Sequence, residues 1–324
     1  MKNKHSNTDY GIEITSVGSF IEKIKELKDE DAGTSTEIYF RGQEVEFWGI
    51  EPSIFRNDML SVEHKLMQIP LQKNPFDFKD LSDSFDIMTK YQHYGMCTRL
   101  LDLTTNPLVA LYFACKPHGK IKYQDEEKEP GGVVYFAKYY PTQANDINVR
   151  IVTSLAKYDL SRENSIKEVL DKLVNEKVIS NDNRKRWLDK INIKEFVDII
   201  QHNYLVIPTY SNERLKKQSG VLLLVSSFNV ENNDIGGKEI ITKAKKDLRS
   251  EFEDNYFYIL GENKEHIIKE LDLLGINEAT LFPELEHQLN YIKFIHQDQT
   301  QFVTDFHQYE ENYKKIISYE NVNE

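Results

Sequence analysis

The stretch Tyr91-Gln92-His93-Tyr94-Gly95-Met96-Cys97-Thr98-Arg99-Leu100-Leu101-Asp102-Leu103-Thr104-Thr105-Asn106-Pro107-Leu108-Val109-Ala110-Leu111-Tyr112-Phe113-Ala114 decides how the rest of the chain is read. Its first five residues carry hydrogen-bonding aromatics up to a glycine, which turns a chain at positive φ without steric cost; a turn is expected at Gly95. Thr98 to Thr105 then sets a guanidinium, a carboxylate and three hydroxyls among leucines. Polar groups so placed must satisfy one another or a ligand. Asn106-Pro107 opens an apolar run. Asparagine caps helices and proline is tolerated at the first helical position, so a mostly buried helix is predicted from Pro107 to about Cys115. Arg99 and Asp102 beside that N-terminus admit two readings: a structural ion pair, or the frame of a site for a phosphate or carboxylate.

Upstream, Glu37-Ile38-Tyr39-Phe40-Arg41-Gly42-Gln43 has strand composition, with Gly42 expected to end the strand. Side chains alternate along an extended chain, which puts Arg41 and Gln43 on one side. Trp48 to Arg56 reads as a loop whose large apolar groups anchor a second arginine.

These motifs together, Phe40-Arg41-Gly42-Gln43, the Trp48 to Arg56 block, Gln92 to Gly95, Thr98 to Asp102 and Asn106 to Ala114, resemble the FRG domain, named for its Phe-Arg-Gly triplet. The resemblance runs from Glu37 to roughly Tyr135. Arg214 to Gly220 and Leu281 to Glu286 are similar to shorter pieces that accompany such domains. The resemblance implies a similarity to ADP-ribosyltransferases, whose first core strand often ends in an arginine that grips NAD. Arg41 matches that role, with Gly42, Gln43, Thr98 and Thr105 as further cofactor-binding residues. Thr98, Thr104 or Thr105 would supply a hydroxyl at the nicotinamide, and Gln218, Glu284 or Glu286 a carboxylate or amide. Glu284-Leu285-Glu286 has Glu-x-Glu spacing, but it follows a proline and reads as a helix start. The family's scattered occurrence in bacteria implies a defence or toxin role.

With 324 residues, 40% of them hydrophobic, the chain can bury a sizeable core. A net charge of −12 repels a phosphate backbone at long range, which disfavours bulk nucleic-acid binding. Two cysteines, Cys97 and Cys115, make no disulfide scaffold, and the first ten residues lack the apolar core of a signal peptide; a cytoplasmic location without membrane contact is expected. Neither a Gly-x-Gly-x-x-Gly, a Walker loop, paired zinc cysteines nor a Gly-x-Ser-x-Gly elbow occurs. His93 and His118 lack metal-ligand spacing, so no metal is predicted.

Working outward, helices are expected over 19–27 (capped by Ser19), 62–69, 81–91, 264–274 and 283–296, with a loop at 70–76. Strands are expected at 133–137, 148–154, 205–208, 221–225 and 257–260, and a turn-rich loop at 232–237. Residues 158–203 carry two sets of helically spaced apolar residues and read as a helical insertion. The expected organisation is an N-terminal helix and connector (1–36), an FRG-type domain (37–296) that includes the insertion, and a charged, aromatic tail (297–324).

The fold class is α+β: a mixed or antiparallel sheet flanked by helices, with strands near Phe40, Val134, Val152, Val206 and Leu223. The leading functional reading, carried by the resemblance, is an NAD-consuming transferase or glycohydrolase. Arg41 and Gln43 hold the dinucleotide, Arg99 and Asp102 organise the pocket, and Gln218 or Glu284 assists glycosidic cleavage. The acceptor is a protein, a nucleic acid or water. The alternative is a ligand- or protein-sensing module without turnover.

Overall fold

A computed structural model of the chain describes residues 12–30, 36–81, 83–123, 126–161, 164–209, 213–233, 238–252 and 256–297. Its centre is a mixed sheet of eight strands among the described residues: β1 (Ile12–Glu13), β2 (Glu37–Gln43), β3 (Leu100–Thr104), β4 (Gly132–Tyr139), β5 (Pro141–Gln143), β6 (Tyr204–Ile207), β7 (Gly220–Leu224) and β8 (Tyr256–Ile259). The spatial order is β1-β8-β4-β2-β3-β7-β6-β5. The outermost pairs, β1 with β8 and β5 with β6, are parallel, and the inner ones are antiparallel. Two antiparallel hairpins, at 121–128 and 228–243, stand outside the sheet.

The helices are α1 (Val17–Glu30), α2 (Glu63–Lys73), α3 (Ser84–His93), α4 (Pro107–Cys115), α5 (Ile147–Ala156), α6 (Ile166–Asn175), α7 (Asn181–Trp187), α8 (Ile193–Gln201), α9 (Glu213–Lys217), α10 (Arg249–Phe252), α11 (Lys264–Leu273), α12 (Glu278–Leu281) and α13 (Leu285–Gln297). Every residue of β7 is buried, as a strand covered on both faces must be. One face of the sheet carries two separate helical layers. Phe40, Val134 and Phe257 pack under α1, α4 and α11, whereas Leu100, Leu222 and Val206 pack under α3, α5, α6 and α8. The other face, with Tyr39, Leu101, Leu103 and Leu223, is covered by Ile50 to Leu60 and by Leu248 and Phe252.

Glycine brings α4 down onto the sheet. A Cβ on Gly42 would lie 1.8 Å from the Ala110 carbonyl oxygen, and one on Gly132 would lie 2.1 Å from that of Ala114. Ala110 and Ala114 are one helical turn apart, so two small residues on the helix meet two glycines on β2 and β4. This corrects the reading of Gly42 as the end of its strand: β2 continues through it to Gln43, and the missing side chain serves the helix above.

Asn148–Ser154, expected as a strand, is helical in α5. Asp146 caps the helix by accepting from the Asn148 N–H, and every residue from Ile151 to Ala156 is buried. A helix buried all round shows no 3.6-residue period to the sequence reader. The expected loop at 70–76 is also revised, because α2 runs through Pro70 to Lys73. Helix α1 starts at Val17, ahead of Ser19, whose hydroxyl donates to the Ser16 carbonyl. Asn232 and Asn233 are strand residues, residues 234–237 lie outside the described residues, and so does the tail beyond Gln297. The turn at Gly95 is present, with φ at +80°. Among the described residues no helix is long and apolar enough to cross a membrane.

Candidate functional site

The two helical layers on the shared sheet face leave a gap over β2 and β3. Those strands are registered at a single Cα pair, Phe40 with Thr104, and then part. A cavity of about 300 Å³ fills the opening. Arg41, Asp102, Thr104, Gln92, Arg214 and Gln218 supply its polar wall, and Val109, Phe113 and Leu222 contribute apolar surface.

Each polar group is held by a different element. Asp102 occupies the position between Leu100 and Thr104 on the face where an apolar side chain would normally enter the core; it stands open because the helical layers part there. The Gln92 side-chain amide, at the end of α3, donates to Asp102 Oδ1 at 2.7 Å. Thr98 Oγ1 donates to Gln92 Oε1 at 2.6 Å and so fixes the orientation of that amide. Arg41 Nη1 donates to the main-chain carbonyl of Asp102 at 2.8 Å, a side-chain bond spanning the opening where strand pairing has ceased. Thr104 Oγ1 donates to the Gln218 carbonyl at 2.7 Å, and Gln218 Nε2 donates to the Leu281 carbonyl at 3.2 Å. The Arg214 guanidinium lies 4.7 Å from the centroid of the Phe282 ring, a cation–π contact.

Asp102 is open to the cavity, yet the protein packed around its carboxyl desolvates it and pushes the pKa up, against the pull of Arg41, Arg214 and the Gln92 hydrogen bond. Burial likewise pulls Arg41 down, against the attraction of Asp102, and nearby Arg56 adds to the lowering. A raised carboxyl pKa means that the folded chain holds the proton more tightly than the unfolded one. That contribution to stability is complete below the unfolded pKa and is lost as pH rises through the folded value. Asp102→Asn is therefore expected to raise Tm slightly near neutral pH, since solvent in the open cavity screens the effect, by a margin that shrinks as pH falls into the carboxylate range. A pH series of thermal unfolding curves checks this; a lower Tm for the variant at neutral pH would show that the two arginines require the charge.

Arg99 does not join this cavity. It is fully buried, donating from Nε to Glu63 Oε1 at 2.7 Å and from Nη2 to Glu63 Oε2 at 2.5 Å, with its guanidinium 4.4 Å from the Phe228 ring centroid. Lys243 Nζ completes the cluster 2.8 Å from Glu63 Oε2. Arg99 and Asp102 are three residues apart on extended chain and so leave by opposite faces; the pairing read from the sequence is replaced by a buried Glu63–Arg99–Lys243 triad. Burial alone would raise the Glu63 pKa, but Arg99 and Lys243 together hold it below the usual carboxylate range.

The other sequence candidates divide. Gln43 shares a face with Arg41, yet its amide donates to the Val45 and Trp48 carbonyls and so shapes the following loop. Thr98 acts on Asp102 through Gln92. Exposed Thr105 donates to the Ser219 carbonyl at 3.5 Å and does not line the cavity. Glu284, absent from the lining, has its Oε2 buried without a hydrogen-bond partner. Buried Cys115 has its thiol pushed up to about 12 by burial, the environment of an inert thiol. Gln92 and Arg214 were not singled out as site residues. Their signals were present in the sequence: Gln92 precedes the Gly95 turn, and Arg214 stands four residues before Gln218, one helical turn away.

A mixed sheet whose central strands part around a cavity bearing two arginines, a carboxylate and two amides defines an α+β protein with a candidate small-molecule site. Residues 36–122 match the family model of the FRG domain, and the chain carries that domain. The match includes Arg41, Gln92 and Asp102 but stops short of Arg214 and Gln218. No curated protein matches the chain, and no solved structure does.

Proposed function

We propose that the cavity binds a phosphorylated nucleotide, with NAD as the leading candidate. The convergence of Arg41 and Arg214 with Asp102, from three separated segments, carries this reading. Guanidinium groups suit phosphate oxygens, and a carboxylate flanked by amides suits ribose hydroxyls. The volume lies at the low end of small-molecule sites, about 300–1,000 Å³, and accommodates one half of a dinucleotide with the other at the mouth.

In the NAD-consuming form of this reading, Asp102 takes the place given to Gln218 or Glu284 by the sequence. As the bond between the anomeric carbon and the nicotinamide nitrogen breaks, positive charge grows on the sugar. A carboxylate beside it is stabilised in its charged form and stabilises that charge in return. Water or another nucleophile then forms the new bond at the anomeric carbon, its proton passing to solvent. The second reading, ligand recognition without turnover, draws on the hydrogen bond that ties Arg41 into the sheet.

The test follows nicotinamide release from NAD by wild type and Arg41→Ala in parallel, with thermal shift by NAD on both. Release by wild type alone, from a variant that still melts cooperatively, is the expected result. A thermal shift without release selects recognition. Absence of both removes NAD from the site.

A further inference from the structure

Leu281 and Phe282 line no part of the cavity, yet two of its polar residues rest on them. Arg214 and Gln218 are one helical turn apart, on and just after α9, a five-residue helix that has no buried residue of its own. A helix so short and so exposed does not fix its side chains by its own packing. Their support comes from the end of α12: Gln218 Nε2 donates to the Leu281 carbonyl at 3.2 Å, and the Arg214 guanidinium lies 4.7 Å from the Phe282 ring centroid.

The Phe282 ring is itself held from several sides. It is 2% exposed, edge-on to Phe113 of the cavity wall at 6.0 Å, and stacked on the His287 ring at 4.4 Å. His287 Nδ1 pairs with Glu278 Oε1 at 2.6 Å, and the Phe282 carbonyl accepts from Gln288 Nε2 at 2.8 Å. Contacts from α4, α12 and α13 thus fix the ring independently of Arg214. A guanidinium held over such a ring has already given up rotamer freedom that a long side chain otherwise loses on meeting an anion.

We propose that Phe282 is a positioning residue of the cavity: it touches no ligand and holds the Arg214 guanidinium where a ligand phosphate is received. This inference rests on the reading of the cavity as a nucleotide site, and adds to it the element that presets the second arginine. The stretch from Leu281 to Glu286, outside the lining, thereby acquires a role through α9.

Calorimetric titration of NAD into wild type, Phe282→Leu, Arg214→Gln and the double variant tests this. Phe282→Leu is expected to weaken binding about three- to tenfold, the range of a partly desolvated cation–π contact, and Phe282→Tyr, which keeps the ring, to stay within about twofold of wild type. Because Phe282 acts through Arg214, Phe282→Leu should add nothing to the loss caused by Arg214→Gln, whereas a merely structural role would weaken binding in both backgrounds. A second readout needs no ligand. Arg41 and Arg214 both oppose the rise in the Asp102 pKa that desolvation causes. Phe282→Leu and Arg214→Gln should therefore each raise the Asp102 titration midpoint, followed by carbon-13 NMR of labelled aspartate, and the double variant should raise it no further than Arg214→Gln. Unchanged NAD affinity together with an unchanged Asp102 midpoint in folded Phe282→Leu overturns the proposal, as does a loss of affinity that persists undiminished in the Arg214→Gln background. If NAD fails to bind wild type, the nucleotide reading falls, while the Asp102 midpoints still decide whether Phe282 positions Arg214. Phe282→Met, whose flexible side chain adapts to the vacated space without a ring, replaces Phe282→Leu if the leucine variant does not melt cooperatively.

Discussion

Glu63→Ala is expected to destabilise the protein by about 3–5 kcal/mol, the usual cost of removing one partner from a buried ion pair. Total stability for domains is about 5–15 kcal/mol, so the variant should lose a large share of it. Alanine would leave Arg99 fully buried and Lys243 nearly so, two cations without the carboxylate that holds them. Chemical denaturation of wild type and variant measures the difference. A companion variant with Glu63→Leu, Arg99→Met and Lys243→Met should recover much of the loss, because the penalty lies in stranded charge. The sign of the pH dependence follows from the depressed Glu63 pKa: its stabilisation is present above the unfolded carboxyl value and is lost as pH falls through the lower folded value. A Glu63→Ala variant within 1 kcal/mol of wild type would show that the triad is well solvated, which its burial contradicts.

The second large effect is expected at Gly42→Ala. The added methyl would stand 1.8 Å from the Ala110 carbonyl oxygen, and the obstacle is helix backbone rather than a side chain that can swing away. Either α4 lifts from the sheet or β2 bends. Overpacking costs about 1–3 kcal/mol where side chains can adjust, and a backbone clash belongs above that range. Gly49→Ala is the control, since nothing lies within 4 Å of its added methyl. Comparable midpoints for the two variants in denaturant would mean that α4 is seated loosely, against the buried packing of Ala110 and Ala114.

What the sequence revealed was local. Helix α4 and its cap were legible because Asn106, Pro107 and an apolar run stand side by side, and the Asn106 side chain does accept from Leu108 N–H. The flanking strands of the sheet showed themselves by composition for the same reason. What escaped depended on distant partners. Nothing near Arg99 indicates that its carboxylate comes from Glu63, 36 residues earlier, with Lys243 from a hairpin far downstream. Helix α5 was hidden by its own burial: Ile151 to Ala156 are all buried, Thr153 and Ser154 included, so polarity does not mark the period. The sequence assigns Arg41, Asp102 and Gln218 to one site but carries no local signal that joins them. The structure brings the three to one cavity through the Thr104–Gln218 tie, whereas Glu284 stays outside.

The strand order bears on what counts as a unit of this protein. The stretch recognisable by family, residues 36–122, contains β2 and β3, neighbours that meet at one registered pair. Their long ladders run instead to β4 and β7, which lie beyond that stretch. Cut out as a peptide, residues 36–122 would present two strands with nearly all their hydrogen-bonding edges bare, the condition that invites aggregation. Family recognition and folding therefore draw different borders here: the stretch that matches the family is the middle of a sheet whose margins lie outside it.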